Sequence, residues 1–498
     1  VRGRIPIPLA LLLWLGLAPW AQAPLQAAEP AFALHPCRLE QAQQLLQIPA
    51  QCGTLAVPED PGRPAGRKIQ LFVARVPALS RQHRPDPLFV LAGGPGLGAS
   101  DFYPNVSAVF GRIHRDRDII LVDQRGTGRS NPLNCQIDEE ALWDASAEQI
   151  SRATQDCQGK LAAHNDLAQF TTSVAVTDLD AVRQALGYAR INLYGSSYGT
   201  RVAQHYLRRY PQHARAVILD GVVPPQLALG PDTARDAQNA LLRILARCRE
   251  QADCARAFGD PQKDYELLRS RLSQAGVRVN LADPRSGKPL SVDFAMPAFA
   301  TVLRLASYSA EQAALLPISL HLASHDAYFQ PLAAQFLTAT ASYDELLAFG
   351  MHNSVVCAED VPYFDGHVDR EALDRTFLGT VQVDALTAIC KLWPRGVMDK
   401  DLHEPLHSDV PALLLSGTAD PVTPAAYGDL AAKGFSHALH IKLADQGHGQ
   451  LGAPCMDRVM AQFLELASEP QKLSTLDHSC LRDVRPAPFF LTLAGPAP

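Results

Sequence analysis

The stretch Ile191-Asn192-Leu193-Tyr194-Gly195-Ser196-Ser197-Tyr198-Gly199 decides how this chain is read. Residues of strand character enter a Gly-x-Ser-x-Gly turn, and residues 200–209 follow with Val202, Ala203, Tyr206 and Leu207 on one face at helical spacing. The order is strand, tight turn, helix. A turn this sharp strains its central residue, and Gly195 and Gly199 leave the room that helix and strand need to pack closely. Ser197 is thereby lifted to the edge of a sheet, its hydroxyl open to a base on one side and to a substrate carbonyl on the other. A glycine-flanked serine alone is a modest signal. The strand before it and the helix after it supply the context that a nucleophile requires.

Upstream, Leu88-Phe89-Val90-Leu91-Ala92 is apolar throughout, as in a strand buried on both faces, and it runs into Gly93-Gly94-Pro95-Gly96. Such a loop lets backbone N–H groups approach a ligand closely, which an oxyanion hole needs. Pro95 has no N–H, so Gly94 is the expected donor, with Tyr198 supplying the second from the residue after the nucleophile. A phosphate-binding loop would need Gly-Lys-Ser/Thr or Gly-x-Gly-x-x-Gly, and neither is present; a plain turn is the other alternative. Ile119-Ile120-Leu121-Val122 is the next buried strand. It leads to Asp123-Gln124-Arg125-Gly126-Thr127-Gly128-Arg129-Ser130, where Asp123 and Arg125 read as neighbouring charges that shape the loop rather than as catalysts.

Residues 173–187 have the pattern of a helix capped by Ser173 and ended by Gly187, and residues 216–221 form a further buried strand. Residues 52–58 and 68–76 alternate as a hairpin around Asp60-Pro61-Gly62, expected at an antiparallel edge of the sheet. Strand and helix alternate, so the core is expected to be an α/β fold around a mainly parallel sheet. After Pro224-Pro225 the pattern changes. Residues 226–407 are mostly helical, notably 237–250, 264–275 and 297–308, and read as a helical cap inserted over the carboxyl end of the sheet. The expected division is therefore a core from 37–225, the cap, and a second core segment from 408–498. The tail beyond Cys480, with Phe489 and Phe490 among prolines, is expected to lie extended against the surface.

In the second core segment, the strand at 412–415 ends in Ser416-Gly417-Thr418-Ala419-Asp420, and the strand at 438–443 ends in Ala444-Asp445-Gln446-Gly447-His448-Gly449. Successive strands thus bring a carboxylate and an imidazole to the edge that carries Ser197. The order Ser197, Asp420, His448 is that of the α/β-hydrolase fold. His448 is expected to take the proton of Ser197 and to pass it to the leaving group, while Asp420 fixes the tautomer and offsets the imidazolium charge. Asp220 also ends a strand and is the rival for the acid; Asp445 sits too near His448 in sequence.

With 498 residues, 47% hydrophobic and 19% charged at a net charge of −6, the composition is that of a soluble globular protein. No basic run suggests nucleic acid. Val1-Arg2-Gly3-Arg4, an apolar run at 5–20 and Ala21-Gln22-Ala23 form a secretory signal, expected to be cleaved after Ala23 or a few residues on, near Ala28, with a loose leader at 24–36. The run free of proline is too short to anchor the chain in a bilayer, so no stable membrane insertion is expected after cleavage. Ten cysteines agree with export. Sequence neighbours are expected to pair: Cys37 with Cys52, Cys135 with Cys157, Cys248 with Cys254, Cys357 with Cys390, and Cys455 with Cys480. None has the Cys-x-x-Cys spacing of a zinc site.

The glycine loop at 93–96, the loop at 123–130, Gly195-Ser196-Ser197-Tyr198-Gly199, and the segments Gly417-Thr418-Ala419-Asp420 and Gly447-His448 together resemble the proline iminopeptidase and tripeptidyl aminopeptidase family of serine peptidases. Ala92 stands where proline iminopeptidases usually carry histidine, which draws the resemblance towards the secreted tripeptidyl branch. The resemblance implies an α/β-hydrolase fold, a secreted or periplasmic enzyme without metal or organic cofactor, and removal of residues from the free amino end of peptides. It also implies a carboxylate in the cap that holds the protonated amine. Val355-Val356-Cys357-Ala358-Glu359-Asp360 is the cap stretch that best resembles the family, giving Glu359, then Asp360, as that anchor, with solvated surface carboxylates as the alternative. Two other functions remain open: a carboxylesterase or lipase on the same fold, and a non-catalytic binding protein.

Overall fold

The computed structural model describes Gly3 and residues 32–41, 46–135, 147–344 and 347–496. The expected signal sequence lies outside these, Gly3 apart, as does most of the loose leader. Among the described residues, eleven strands build the sheet and a hairpin of the cap. In chain order they are β1 (His35–Glu40), β2 (Gln47–Pro58), β3 (Lys68–Val76), β4 (Leu88–Leu91), β5 (Ile119–Val122), β6 (Ile191–Ser196), β7 (Ala214–Asp220), β8 (Val277–Ala282), β9 (Pro289–Phe294), β10 (Ala412–Gly417) and β11 (Ala438–Leu443).

Nine of them form one sheet in the order β1-β2-β3-β5-β4-β6-β7-β10-β11. β1, β2, β3 and β5 pair antiparallel, so the hairpin does lie towards one edge, and from β5 to β11 every pairing is parallel. β1 starts at His35, inside the segment expected to be loose, because it finds a partner in β2.

The strand pattern explains the layers. Side chains alternate across a strand, so Phe89, Ile120, Leu193, Val217 and Leu414 enter one core while Leu88, Val90, Leu121, Ile218 and Leu415 enter the core on the opposite face. Both faces are buried under helices, as continuous apolar runs in parallel strands require. The helix expected at 173–187 runs Thr172–Ala185, and the one after the nucleophile turn runs Tyr198–Arg209.

Between β7 and β10 the helices Thr233–Glu250, Pro261–Gln274, Met296–Ala306, Leu316–His325 and Phe349–Glu359 stand where helical patterns dominate the sequence. The first four share a third core that contains Leu241, Leu268, Phe294, Phe299 and Leu303, whereas Met351, Val355 and Val356 of the last pack into a core of the sheet. The antiparallel hairpin of β8 and β9 is an addition to the expected, mostly helical cap. Its residues are largely exposed, so it lacks the apolar run by which a buried strand is read.

The tail departs from expectation as well. Phe489 is buried in the cap core, with the Arg247 guanidinium 4.1 Å from its ring centroid, because an aromatic ring gains more from burial than from lying on the surface. All five expected cysteine pairs are bonded. Among the described residues no helix is long and apolar enough to cross a membrane.

Candidate active site

Ser197 stands between β6 and the helix Tyr198–Arg209 at φ 53° and ψ −122°, a conformation a side-chain-bearing residue rarely adopts. The turn is held from both sides. The Ser197 N–H donates to the Asp220 carbonyl at 2.8 Å, and the Ser197 carbonyl accepts from the N–H of Thr200 at 2.8 Å and from its hydroxyl at 2.6 Å. The flanking glycines are a steric requirement. A Cβ on Gly195 would run into the Gly199 carbonyl, and one on Gly199 would come within 2.6 Å of the Leu91 carbonyl oxygen.

β10 and β11 bring the other two groups. His448 Nδ1 donates to Asp420 Oδ2 at 2.8 Å, which leaves Nε2 as the basic nitrogen. Asp420 also accepts from the N–H of Val422 and of Thr423, each at 2.8 Å, and from the Thr423 hydroxyl at 2.8 Å. Burial acts to raise the pKa of Asp420, but the charge and hydrogen bond of His448 and these N–H groups hold it below the usual carboxylate value. For His448 the signs are reversed. Burial acts to lower its pKa, and the charge and hydrogen bond of Asp420 outweigh this and hold it above the usual imidazole value.

The rival acid, Asp220, does not bond the imidazole. It accepts from the Tyr194 hydroxyl at 2.9 Å and from the Gln450 N–H at 2.8 Å, and burial pushes its pKa up to about 6. It braces the loop that carries His448. Thr423 is a site residue that the sequence reading missed, although its place three residues after Asp420 is a turn-type spacing that could have revealed it.

Ser197 and His448 line one cavity of about 300 Å³, together with Gly93, Gly94 and Pro95 of the glycine loop. Tyr198, the other expected oxyanion donor, begins the helix after Ser197, and its hydroxyl is fixed by Gln124 at 3.0 Å and Thr172 at 2.6 Å. The cap closes over the site. Arg304, Tyr308, His352 and Gln382 line the cavity from that side, the His448 N–H donates to the Tyr308 carbonyl at 2.8 Å, and the two rings meet edge to face. None of these cap residues carried a local sequence signal, since only the folding of the cap onto the sheet brings them here.

The expected amine anchors are corrected by the structure. Glu359 and Asp360 have no exposed surface, and neither lines the cavity. Glu359 accepts from the N–H of Thr172 at 2.7 Å and from its hydroxyl at 2.8 Å, at the start of the helix Thr172–Ala185. Asp360 pairs with Arg201 at 2.9 Å and accepts the Leu229 N–H at 2.7 Å. An apolar helix, pinned by the bond of Cys357 to Cys390, turns both acids inward to a guanidinium rather than towards substrate.

Asp123 and Arg125 do shape their loop, but with separate partners. Asp123 accepts from the Ser100 and Arg129 N–H groups, and Arg125 pairs with Asp178 through two nitrogens at 2.7 and 2.8 Å. Among the described residues, Asp264, His321 and His325 have ligand-type atoms within 4.8 Å of one another. Asp264 is already hydrogen-bonded to both rings and to Ser324, and none of the three lines the cavity.

Residues 86–451 match the family described as the alpha/beta hydrolase fold. The chain is similar to the serine protease Hip1 of Mycobacterium tuberculosis, at 28% identity over 443 residues covering 80% of this chain and 81% of that protein. It is 34% identical to a tripeptidyl aminopeptidase of Streptomyces lividans over 197 residues, 36% of either chain. It is also 35% identical to carboxylesterase B of Mycobacterium tuberculosis over 293 residues, covering 52% of this chain and 55% of that one. With that match spanning the glycine loop, the serine turn and the strand ends that carry Asp420 and His448, the chain belongs to the alpha/beta hydrolase fold family.

Proposed function

We propose that this chain is a serine peptidase that works through an acyl-enzyme on Ser197, with His448 as general base and acid and Asp420 as its orienting partner. The observation that carries the reading is the 2.8 Å bond from His448 Nδ1 to Asp420, which turns the free imidazole nitrogen to the cavity shared with Ser197. Ser197 attacks the carbonyl as His448 takes its proton. The oxyanion is held by the N–H groups of Gly94 and Tyr198, the protonated imidazole delivers its proton to the leaving amine, and water activated by the same nitrogen releases the acyl group.

Similarity to Hip1 and to the tripeptidyl aminopeptidase supports peptides as substrates, and the finer reading is an aminopeptidase that acts near a free amino terminus. A bounded cavity roofed by cap helices suits a chain end better than the middle of a long polypeptide. Five disulfides favour an oxidising compartment, hence a secreted or periplasmic enzyme.

An ester hydrolase is the second reading. It is favoured by similarity to carboxylesterase B and by the absence, among the described residues, of an aspartate or glutamate that lines the cavity to receive an amine. Matched peptides with free and acetylated amino termini, assayed beside simple esters with the products mapped by mass spectrometry, separate the two. Cleavage of unblocked peptides supports the proposal, and turnover confined to esters defeats it.

A further inference from the structure

The cavity beside Ser197 contains one formal positive charge that the acyl transfer does not use. Arg304, near the end of the helix Met296–Ala306, lines it and is half-buried. The guanidinium has a neutral partner there, donating from Nη1 to Gln382 Oε1 at 3.0 Å. Among the described residues no carboxylate lines the cavity, and none forms an ion pair with Arg304. The buried arginines 117, 125 and 201 are each matched by an aspartate, while Arg247 meets the ring of Phe489 instead. The charge is felt at the site, where it opposes protonation of both His448 and His352.

A guanidinium held in a partly desolvated pocket presents a planar fork of donors that fits a carboxylate through two parallel hydrogen bonds. With Gln382 occupying one nitrogen, the remaining donors meet no acid among the described residues and are open to one that a ligand brings. We propose that Arg304 is a specificity residue that binds a carboxylate of the substrate, so that this enzyme prefers acyl compounds with an acidic group near the bond it breaks. The inference rests on Ser197 being the nucleophile of this cavity. It goes beyond the peptidase reading by naming the charge of the substrate. The carboxylate comes either from an aspartate or glutamate side chain or from the free carboxyl end of a short peptide.

The test uses pairs of substrates that differ only in that charge: Glu against Gln at each position flanking the scissile bond, and free against amidated carboxyl termini. The wild-type protein is expected to favour the carboxylate member by about tenfold or more in kcat/KM. In Arg304→Glu the order is expected to reverse when the Glu of the preferred substrate is replaced by Lys. The readout is a ratio within each variant, which general damage to folding does not invert. The pair that shows the preference identifies the source of the carboxylate. If Arg304→Glu loses its circular dichroism signature, Arg304→Gln serves instead, and its ratio is expected to fall to near one.

Equal turnover of both members of every pair by the wild type, or an unchanged ratio in the variants, overturns the inference and leaves the peptidase reading intact. If only esters are cleaved, monoesters of dicarboxylic acids replace the peptides, and a surviving preference supports Arg304 while the peptidase reading fails. Protection of Ser197 from a fluorophosphonate label by glutarate, compared with glutaramide, measures the same discrimination without turnover. Equal protection counts against the proposal.

Discussion

Asp420 at the rim of the sheet and Glu359 at the end of a cap helix are both sealed from solvent, yet their charge states diverge. Asp420 receives two backbone N–H groups, a hydroxyl and an imidazole, and its pKa stays below the usual value in spite of burial. Glu359 receives the N–H and hydroxyl of Thr172, faces Arg201 at 3.7 Å and has Asp360 as a like-charged neighbour; burial pushes its pKa up to about 7. Burial is the same in both places. What differs is how many donors converge, and that Glu359 has a like charge beside it as well as the opposite one of Arg201. The first carboxylate can stabilise an imidazolium, whereas the second joins the cap to the core.

Replacing Ser197 with Ala is expected to lower kcat by about a million-fold while the circular dichroism spectrum is retained, because the remaining groups act only around the nucleophile. Residual turnover near wild type would place the chemistry elsewhere. Asp420→Asn is expected to cost about ten-thousand-fold in kcat. It bears on pH as well. His448 acts as a base only when neutral, and Asp420 raises its pKa, so wild-type kcat/KM should fall as the pH drops through a value above the usual imidazole range. In the Asn variant this limb should move to lower pH, and an unmoved limb would assign the titration to another group.

The cap carboxylate should behave in the opposite way. Glu359→Ala leaves Thr172 and part of Arg201 without a partner, and should lower stability to chemical denaturation by about 3 kcal/mol. The ratio of turnover on free and acetylated peptides should not change, and a selective loss on free amines would restore Glu359 as an amine anchor. Because its folded pKa is raised, the contribution of Glu359 is fully present below the unfolded carboxyl value and is lost as the pH rises through about 7. Glu359→Gln should flatten that slope. The smallest effect is expected for Thr423→Val, which removes one hydroxyl donor from Asp420 and should reduce kcat by up to about tenfold.

The corner that gathers Ser197, Asp420 and His448 was legible because its signals are local. A nucleophile turn needs glycines at fixed offsets, and parallel strands buried on both faces appear as apolar runs ending in Asp420 and His448. The cap was legible only in outline. β8 and β9 lack an apolar run, and Phe489 has no periodic neighbours to mark it as core. Glu359 shows the limit most clearly. Its place beside Cys357 and its resemblance to a family motif fitted an amine anchor, but the direction its side chain takes depends on Arg201 and Thr172, more than a hundred residues away in sequence.

The sequence by itself determined the fold class and the serine turn, and it led to the expectation of neighbour pairing among ten cysteines that the structure shows, because turn sterics and strand burial act over short spans. Only the tertiary structure decided that Asp420 rather than Asp220 holds His448, that Glu359 and Asp360 are turned inward, and that Arg304 faces the cavity. The reason is physical. Each of these outcomes depends on which donors and charges converge on a buried group, and those partners come from strands and cap helices that meet only when the chain has folded.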